Sequence, residues 1–203
     1  MDDNKLYEDF MLVSVNTDRL GHIIDGASLA DTTGYFLEFG VYKGRTLNHI
    51  AGKFPSLKIW GFDSFDGLPE PWVRSYDKTN VTPQKWFALD ELPVVASNVE
   101  LVVGLYESSL PAWLSEHDGN VSFLHVDCDL YSSTKEILNN LNDRIVPGTI
   151  IVFDELFDWP EAGYESWREC EWKALIEWMA EYGRDVEPLC RTDTGQASLT
   201  VIK

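Results

Sequence analysis

The sequence predicts an α/β protein built on a mostly parallel sheet, and three observations carry that reading. The apolar runs are short and rich in β-branched and aromatic residues; they alternate with segments of helical period; and several of them end in glycine or an acidic residue. A chain of 203 residues can bury one substantial core, so the expectation is a single domain over 1–203, with no internal repeat and no low-complexity tract.

Taken in order, residues 1–34 read as a helical preface, with Leu20, Ile23, Ile24 and Ala27 at helical spacing behind a cap at Thr17. The first strand is Tyr35–Phe39, followed by a helix marked by Leu47, Ile50, Ala51 and Phe54 and stopped by Pro55. The second strand covers 58–62. Residues 67–98 break the alternation with prolines and with Trp72, Tyr76, Trp86 and Phe87; they read either as a lid or substrate wall, or as a small helical excursion that packs its own aromatics. Strands at Val99–Val103 and Val121–Val126 come next. Ser133 with Glu136 three residues on forms a capping box for a helix whose apolar face is Ile137, Leu138 and Leu141. Pro147 and Gly148 turn the chain into a strand over 149–153. Residues 168–182 carry Trp172, Leu175, Ile176 and Met179 on one stripe, with Gly183 as the stop, and 197–202 is the closing strand.

Lys and Arg number 16 against 34 Asp and Glu, a formal charge of −18. Phosphate backbones and anionic membrane surfaces are bound through clustered Lys and Arg, so nucleic acid and membrane partners are not expected. At 44% hydrophobic and 13% aromatic the chain is nonetheless globular, not a disordered acidic tail. Cys128, Cys170 and Cys190 are odd in number and form no C-x-x-C pair, which argues against a disulfide framework or a cysteine zinc site and for a reducing cytoplasm. The acidic start MDDNKLYEDF is unlike a signal peptide, and no run is long and apolar enough for a membrane span.

In an open parallel sheet, ligands bind beyond the carboxyl ends of the strands. The first strand ends in FLEFGVYKGRT, which sets Glu38, Gly40 and Gly44 at a strand-to-helix turn where backbone can approach a ligand and free N–H groups face an anion. E-x-G-x-x-x-G differs from the G-x-G-x-x-G of dinucleotide sites, and such glycines serve tight packing as often as binding. The second strand leads into Asp63, placed to accept from ribose hydroxyls; with the glycines it points to a nucleoside. The strands ending in FLHVDCDLYSST and TIIVFDEL bring Asp127, Asp129, Asp154 and Glu155 to neighbouring strand ends. Four carboxylates there call for a cation, and oxygen ligands suit Mg²⁺, with Mn²⁺ or Ca²⁺ alternatives. The lesser reading of Asp129, just ahead of Ser132 and Ser133, is a helix cap. His125 shares their strand face and reads as a ligand contact or as a satisfied interior histidine. Cys128 reads as a small core residue, Ser132, Ser133 and Thr134 have no partners for a nucleophilic triad, and His22, His49 and His117 have no assigned role.

Together FLEFGVYKGRT, IWGFDSFDGLPEP, VGLYESSLP, FLHVDCDLYSSTKEIL and PGTIIVFDEL resemble the macrocin O-methyltransferase family, over residues 12–203. The resemblance implies a Rossmann-like class I methyltransferase fold, a seven-stranded sheet flanked by helices with its last strand antiparallel. It implies S-adenosyl-L-methionine as cofactor, with Glu38, Gly40 and Gly44 around its methionine part, Asp63 and Ser64 at the ribose, and Gly104 to Ser108, including Tyr106, beside the adenine. The same resemblance implies that Asp127 contacts the cofactor and joins Asp154 and Glu155 as metal ligands, although many members carry two aspartates at the last pair. Asp129 matches the general base. The acceptor implied is a hydroxyl of a sugar or glycosylated natural product, walled by 67–98 and by Trp159, Tyr164 and Trp167; a homo-oligomer is left open. Two other readings remain: a metal-dependent nucleotide-sugar glycosyltransferase using Asp127-Cys128-Asp129 as its D-x-D, and a cofactor-binding module without turnover.

Overall fold

The computed structural model describes residues 3–158 and 163–203. Strands β1 (Ser14–Asn16), β2 (Tyr35–Phe39), β3 (Ile59–Asp63), β6 (Val99–Val103), β7 (Val121–Val126), β8 (Ile145–Phe153), β9 (Val186–Thr192) and β10 (Ala197–Val201) form one sheet in the order β1-β9-β10-β8-β7-β2-β3-β6. Only β10 runs against its neighbours, pairing antiparallel with both β8 and β9. The sheet thus has eight strands rather than seven. The added strand, β1, lies inside the stretch expected to be wholly helical and pairs parallel with the edge of β9.

Helices cover both faces, as parallel strands require. On one face α1 (Asp3–Leu12), α4 (Tyr106–Leu114), α5 (Tyr131–Leu141) and α6 (Glu171–Tyr182) bury Leu6, Phe10, Leu110, Ile137, Leu138 and Trp172 against Leu37 and Phe39. On the other, α2 (Arg19–Leu29) and α3 (Arg45–Lys53) bury Ile23, Ala27, Leu47 and Ile50 against Phe36 and Phe123. Phe36 and Leu37 go to opposite faces because successive strand side chains alternate. No helix among the described residues is long and apolar enough to cross a membrane.

Several boundaries differ from the sequence expectation for local reasons. The N-cap position of α2 is Asp18, not Thr17, and its side chain makes no cap bond. The Ser133–Glu136 box does not form, because α5 starts earlier, at Tyr131 behind Leu130. Pro147 and Gly148 lie within β8, where both are solvent-facing, so the strand begins at Ile145. Residues 67–98 contain no helix; two short strands, β4 (Trp72–Val73) and β5 (Val81–Thr82), pair into an antiparallel hairpin. That hairpin buries Trp72 with Leu68, Leu130, Tyr164 and Cys170 in a small separate cluster.

Candidate active site

The sheet builds the site as a row of strand ends. Backbone hydrogen bonds continue the ladder one step past each strand: Gly104 N–H donates to Asp63 O, Gly40 N–H to Phe62 O, Asp127 N–H to Phe39 O and Asp154 N–H to Val126 O, all at 2.8 to 3.0 Å. Gly104, Asp63, Gly40, Asp127 and Asp154 are therefore placed side by side. Beyond them opens a cavity of about 680 Å³, within the range of pockets that enclose a small-molecule ligand.

Of the residues expected at a ligand site, Gly40, Asp63, Ser64, Gly104, Tyr106, Asp127, Asp129 and Glu155 line this cavity. Glu38, Gly44 and Asp154 are not on its wall. Glu38 lies beneath the glycine turn, 1% exposed, and its Oε2 shares a 3.0 Å hydrogen bond with His125 Nδ1, its register partner across β2 and β7. Gly44, at φ 72°, is the N-cap position of α3, and its left-handed backbone is the reason for glycine there. Gly40 is needed for packing rather than for ligand access alone: at φ 94°, a Cβ would fall 1.6 Å from the Asp127 carbonyl oxygen.

Asp63 is committed to the turn. Its Oδ2 accepts from the N–H groups of Val41 and Tyr42 at 2.9 and 2.8 Å, and its Oδ1 from that of Phe65 at 2.8 Å. A carboxylate offers about four acceptor positions, so one is left for a ligand hydroxyl. Ser64 closes the next turn, donating from Oγ to Gly67 O at 3.3 Å and accepting from Asp66 N–H at 3.2 Å. Tyr106 stands edge-on to Phe39, with its phenol pushed well above the usual range by burial.

The carboxylates crowd at the ends of β7 and β8. Asp129 sits in the left-handed region at φ 63°, a conformation Asp tolerates better than most residues, and is 8% exposed. Burial, then the charge of Asp127, pushes it up to about 7. Burial also raises Glu155 and Asp127, the former well above the carboxylate range. Three residues that the sequence reading passed over complete the cluster. Arg19 reaches in from α2 and pairs with Asp154 and Glu155. Gln196 Nε2 donates to Asp154 Oδ1. Glu171, fully buried on α6, accepts from Glu155 N–H at 3.0 Å. None carries a local signal, since each arrives from a distant element. His22, on the face of α2 that meets the sheet, is also buried, and burial, then repulsion from His125, depresses it to about 4.

His125 is buried and depressed to about 4, chiefly by burial, so its ring is neutral at neutral pH. Its Nε2 has no hydrogen-bond partner among the described residues and lies 3.7 Å from Asp154 Oδ1. His125, Asp127 and Asp154 bring ligand atoms within 4.8 Å of one another, a grouping that includes two of the three expected metal ligands and substitutes the histidine for Glu155. Cys128, also buried, faces Thr134 Oγ1 at 3.4 Å, and its thiol is raised by burial, which suits a core residue.

Of the four aromatic residues of the insertion, Trp72 and Phe87 line the cavity, whereas Tyr76 and Trp86 do not. Tyr164 packs behind Trp72 with ring centroids 5.3 Å apart. Trp167 stacks on Tyr7 at 5.8 Å, away from the cavity wall. Trp159 lies outside the described residues.

The family model described as macrocin O-methyltransferase (TylF) matches residues 9–171. The chain belongs to the macrocin O-methyltransferase family. A curated relative from Streptomyces olivaceus, 8-demethyl-8-(2,3-dimethoxy-alpha-L-rhamnosyl)-tetracenomycin-C 4'-O-methyltransferase, is 26% identical over an alignment of 155 positions that covers 68% of this chain and 59% of that protein. The chain thus spans less than two thirds of that relative's length. Among solved structures, the calicheamicin methyltransferase CalS11 matches at a TM-score of 0.64 and 22% identity, covering 98% of this chain and 90% of that one. The O-methyltransferase NovP matches at 0.60 and 20%, covering 91% and 80%. MycE from mycinamycin biosynthesis, solved with Mg and SAH, matches at 0.57 and 15%, covering 90% and 48%. These likenesses agree with the macrocin family in fold: helices on both faces of a mixed, mainly parallel sheet.

Proposed function

We propose that the protein is an S-adenosylmethionine-dependent O-methyltransferase that methylates a hydroxyl of a sugar or glycosylated natural product, with a divalent ion at the ends of β7 and β8. One observation carries this reading: the glycine turn, Asp63 and the acids Asp127, Asp129 and Glu155 share a single cavity, in a chain of the macrocin family. The named action of the Streptomyces relative on a rhamnosyl group, and the SAH and Mg bound to MycE, support the acceptor class, the cofactor and the ion.

The residues fit a metal. Among the described residues the buried Nε2 of His125 and Oε2 of Glu155 have no hydrogen-bond partner, and His125, Asp127 and Asp154 bring ligand atoms within 4.8 Å of one another, where a divalent ion would offset the cost of burying carboxylate charge. Asp127, Asp154 and Glu155 would hold the ion, with His125 Nε2 adjacent. Bound S-adenosylmethionine supplies the methyl group, and a divalent ion lowers the pKa of a hydroxyl beside it.

The chain's own residues then bind, orient and move a proton. Asp63 keeps Val41 and Tyr42 in the turn and presents its remaining acceptor position to a ribose hydroxyl. Asp129, at about 7, is suited to take the acceptor's proton near neutral pH. Trp72 and Phe87 give the acceptor flat apolar faces, and the cavity holds the two reacting molecules in one enclosure, which supplies alignment.

Titration calorimetry with S-adenosylhomocysteine and with UDP tests the reading. Binding of the first and not the second is expected; the reverse would establish a nucleotide-sugar transferase instead. With a rhamnosylated acceptor, Asp129→Asn is expected to keep S-adenosylhomocysteine affinity and to lose roughly 10²-fold or more in kcat. An Asp129→Asn variant with full turnover would remove the base from the mechanism, and activity untouched by EDTA would remove the metal.

A further inference from the structure

Two of the three carboxylates assigned above to a divalent ion, Asp154 and Glu155, already carry a cation of the chain's own. Arg19, the first residue of α2, donates from Nε to Asp154 Oδ1 at 3.2 Å, pairs through Nη2 with Asp154 Oδ2, and brings Nη2 to 3.9 Å from Glu155 Oε1. The partners differ sharply in burial. The Arg19 side chain is 50% exposed, against 1% for Asp154 and 6% for Glu155. Arg19 and Glu155 line the cavity and Asp154 does not, so the guanidinium stands between the cavity and the deeper acid.

The backbone of α2 is fixed while its first side chain is not. A Cβ on Gly26 would lie 2.8 Å from Val152 Cγ2, so the helix is already in close contact with β8. Ile23 and Ala27 are fully buried on the same face. The arginine, by contrast, has a flexible stem, and a second cavity of about 340 Å³, lined by Asp18, Arg19, Leu20, Arg45 and Thr46, opens beside it. The guanidinium therefore has space to enter on leaving the acids. A guanidinium and a divalent ion on the same carboxylates would repel each other at short range in a poorly solvated site.

We propose that Arg19 is the resident counter-cation of Asp154 and Glu155, and that a divalent ion displaces it, so that guanidinium and ion compete for one pair of carboxylates. This rests on the metal reading above. Arg19 thereby acts as a positioning residue: its guanidinium sits on Asp154 and beside Glu155 before the ion arrives, and it sets the affinity with which the ion is taken up.

The test is Mn²⁺ titration of the full chain, by calorimetry and by the electron paramagnetic resonance signal of free Mn²⁺, for the wild type, Arg19→Met and Arg19→Lys. Arg19→Met keeps most of the stem and removes the charge; its Mn²⁺ affinity is expected to rise about tenfold or more. Arg19→Lys retains a charge without the planar fork and is expected to bind Mn²⁺ more tightly than wild type by a smaller factor. It keeps the question decidable if the Met variant does not fold. In EDTA, Arg19→Met is expected to melt below wild type and to gain more on adding Mn²⁺. Wild type that binds Mn²⁺ with variants of equal or weaker affinity would overturn the competition and leave the metal reading standing. Absence of Mn²⁺ binding in all three proteins would overturn the metal reading itself, and the proposal with it.

Discussion

Gly40 shows how one residue's lack of a side chain sets the geometry of the site. The β2 strand must end close enough to β7 for Gly40 and Asp127 to touch through backbone atoms, and no side chain in the turn can yield to an added methyl. Gly40→Ala is expected to destabilise the fold by about 3 kcal/mol or more, combining overpacking with an alanine held at positive φ. Urea unfolding would measure it, and a loss below about 1 kcal/mol would show that the strand ends can part. Asp63 and Glu38 teach a related point. Asp63 ends β3 and lines the cavity while Glu38 lies within β2 off its wall, and one is largely consumed by the turn's own N–H groups and the other by His125.

At the scale of elements, α3 is held at both ends by residues remote in sequence. Asp63 ties the turn that precedes it, and Asn98 closes its far end, where Nδ2 donates to the carbonyls of Ala51, Phe54 and Leu57 at 3.2, 3.1 and 3.0 Å. These carbonyls include ones that a helix end leaves without partners. Asn98→Ala is expected to cost about 1–3 kcal/mol, read as a lower urea midpoint at unchanged slope. An unchanged midpoint would mean that water replaces the amide fully. The hairpin of β4 and β5 acts differently, because its Trp72 is both the core of a small cluster and a wall of the cavity. That double role was not visible in the sequence, where an aromatic-rich loop reads equally as wall or as self-packing excursion.

Over the whole molecule the charge of −18 is unevenly spent. Much of it is solvated, but Glu38, Asp127, Asp129, Glu155 and Glu171 are buried or partly buried acids whose pKa values are raised, chiefly by burial. A raised folded-state pKa contributes stability below the unfolded value and loses it as pH rises through the folded value. His22 and His125, depressed to about 4, work in the opposite sense, but only below their unfolded value of 6.5. Above it the acids act alone. Metal-free protein in EDTA is therefore expected to melt at progressively lower temperature from about pH 6.5 to about pH 8, each proton released on unfolding changing stability by about 1.4 kcal/mol per pH unit. Mn²⁺ or Mg²⁺ should flatten the profile. A melting temperature that rises over this range in EDTA would show that the acids are ionised without a metal.

The sequence by itself determined the alternation of strands and helices, the family, and the acids at the strand ends, because these are local properties: side-chain period, turn glycines, and the residue that follows each strand. It left β9 unmarked and β1 hidden in a helical preface, since β1 is a three-residue edge strand and β9, although it is flanked on both sides, is partly exposed along most of its length, so neither carries a clear apolar pattern. Only the tertiary structure decided which of those acids line the cavity. Whether Asp154 meets the cavity or a guanidinium depends on where α2 packs, and Arg19 lies 135 residues away from it in the chain. Contacts of that kind are set by the packing of Gly26 against β8 rather than by any motif around either residue.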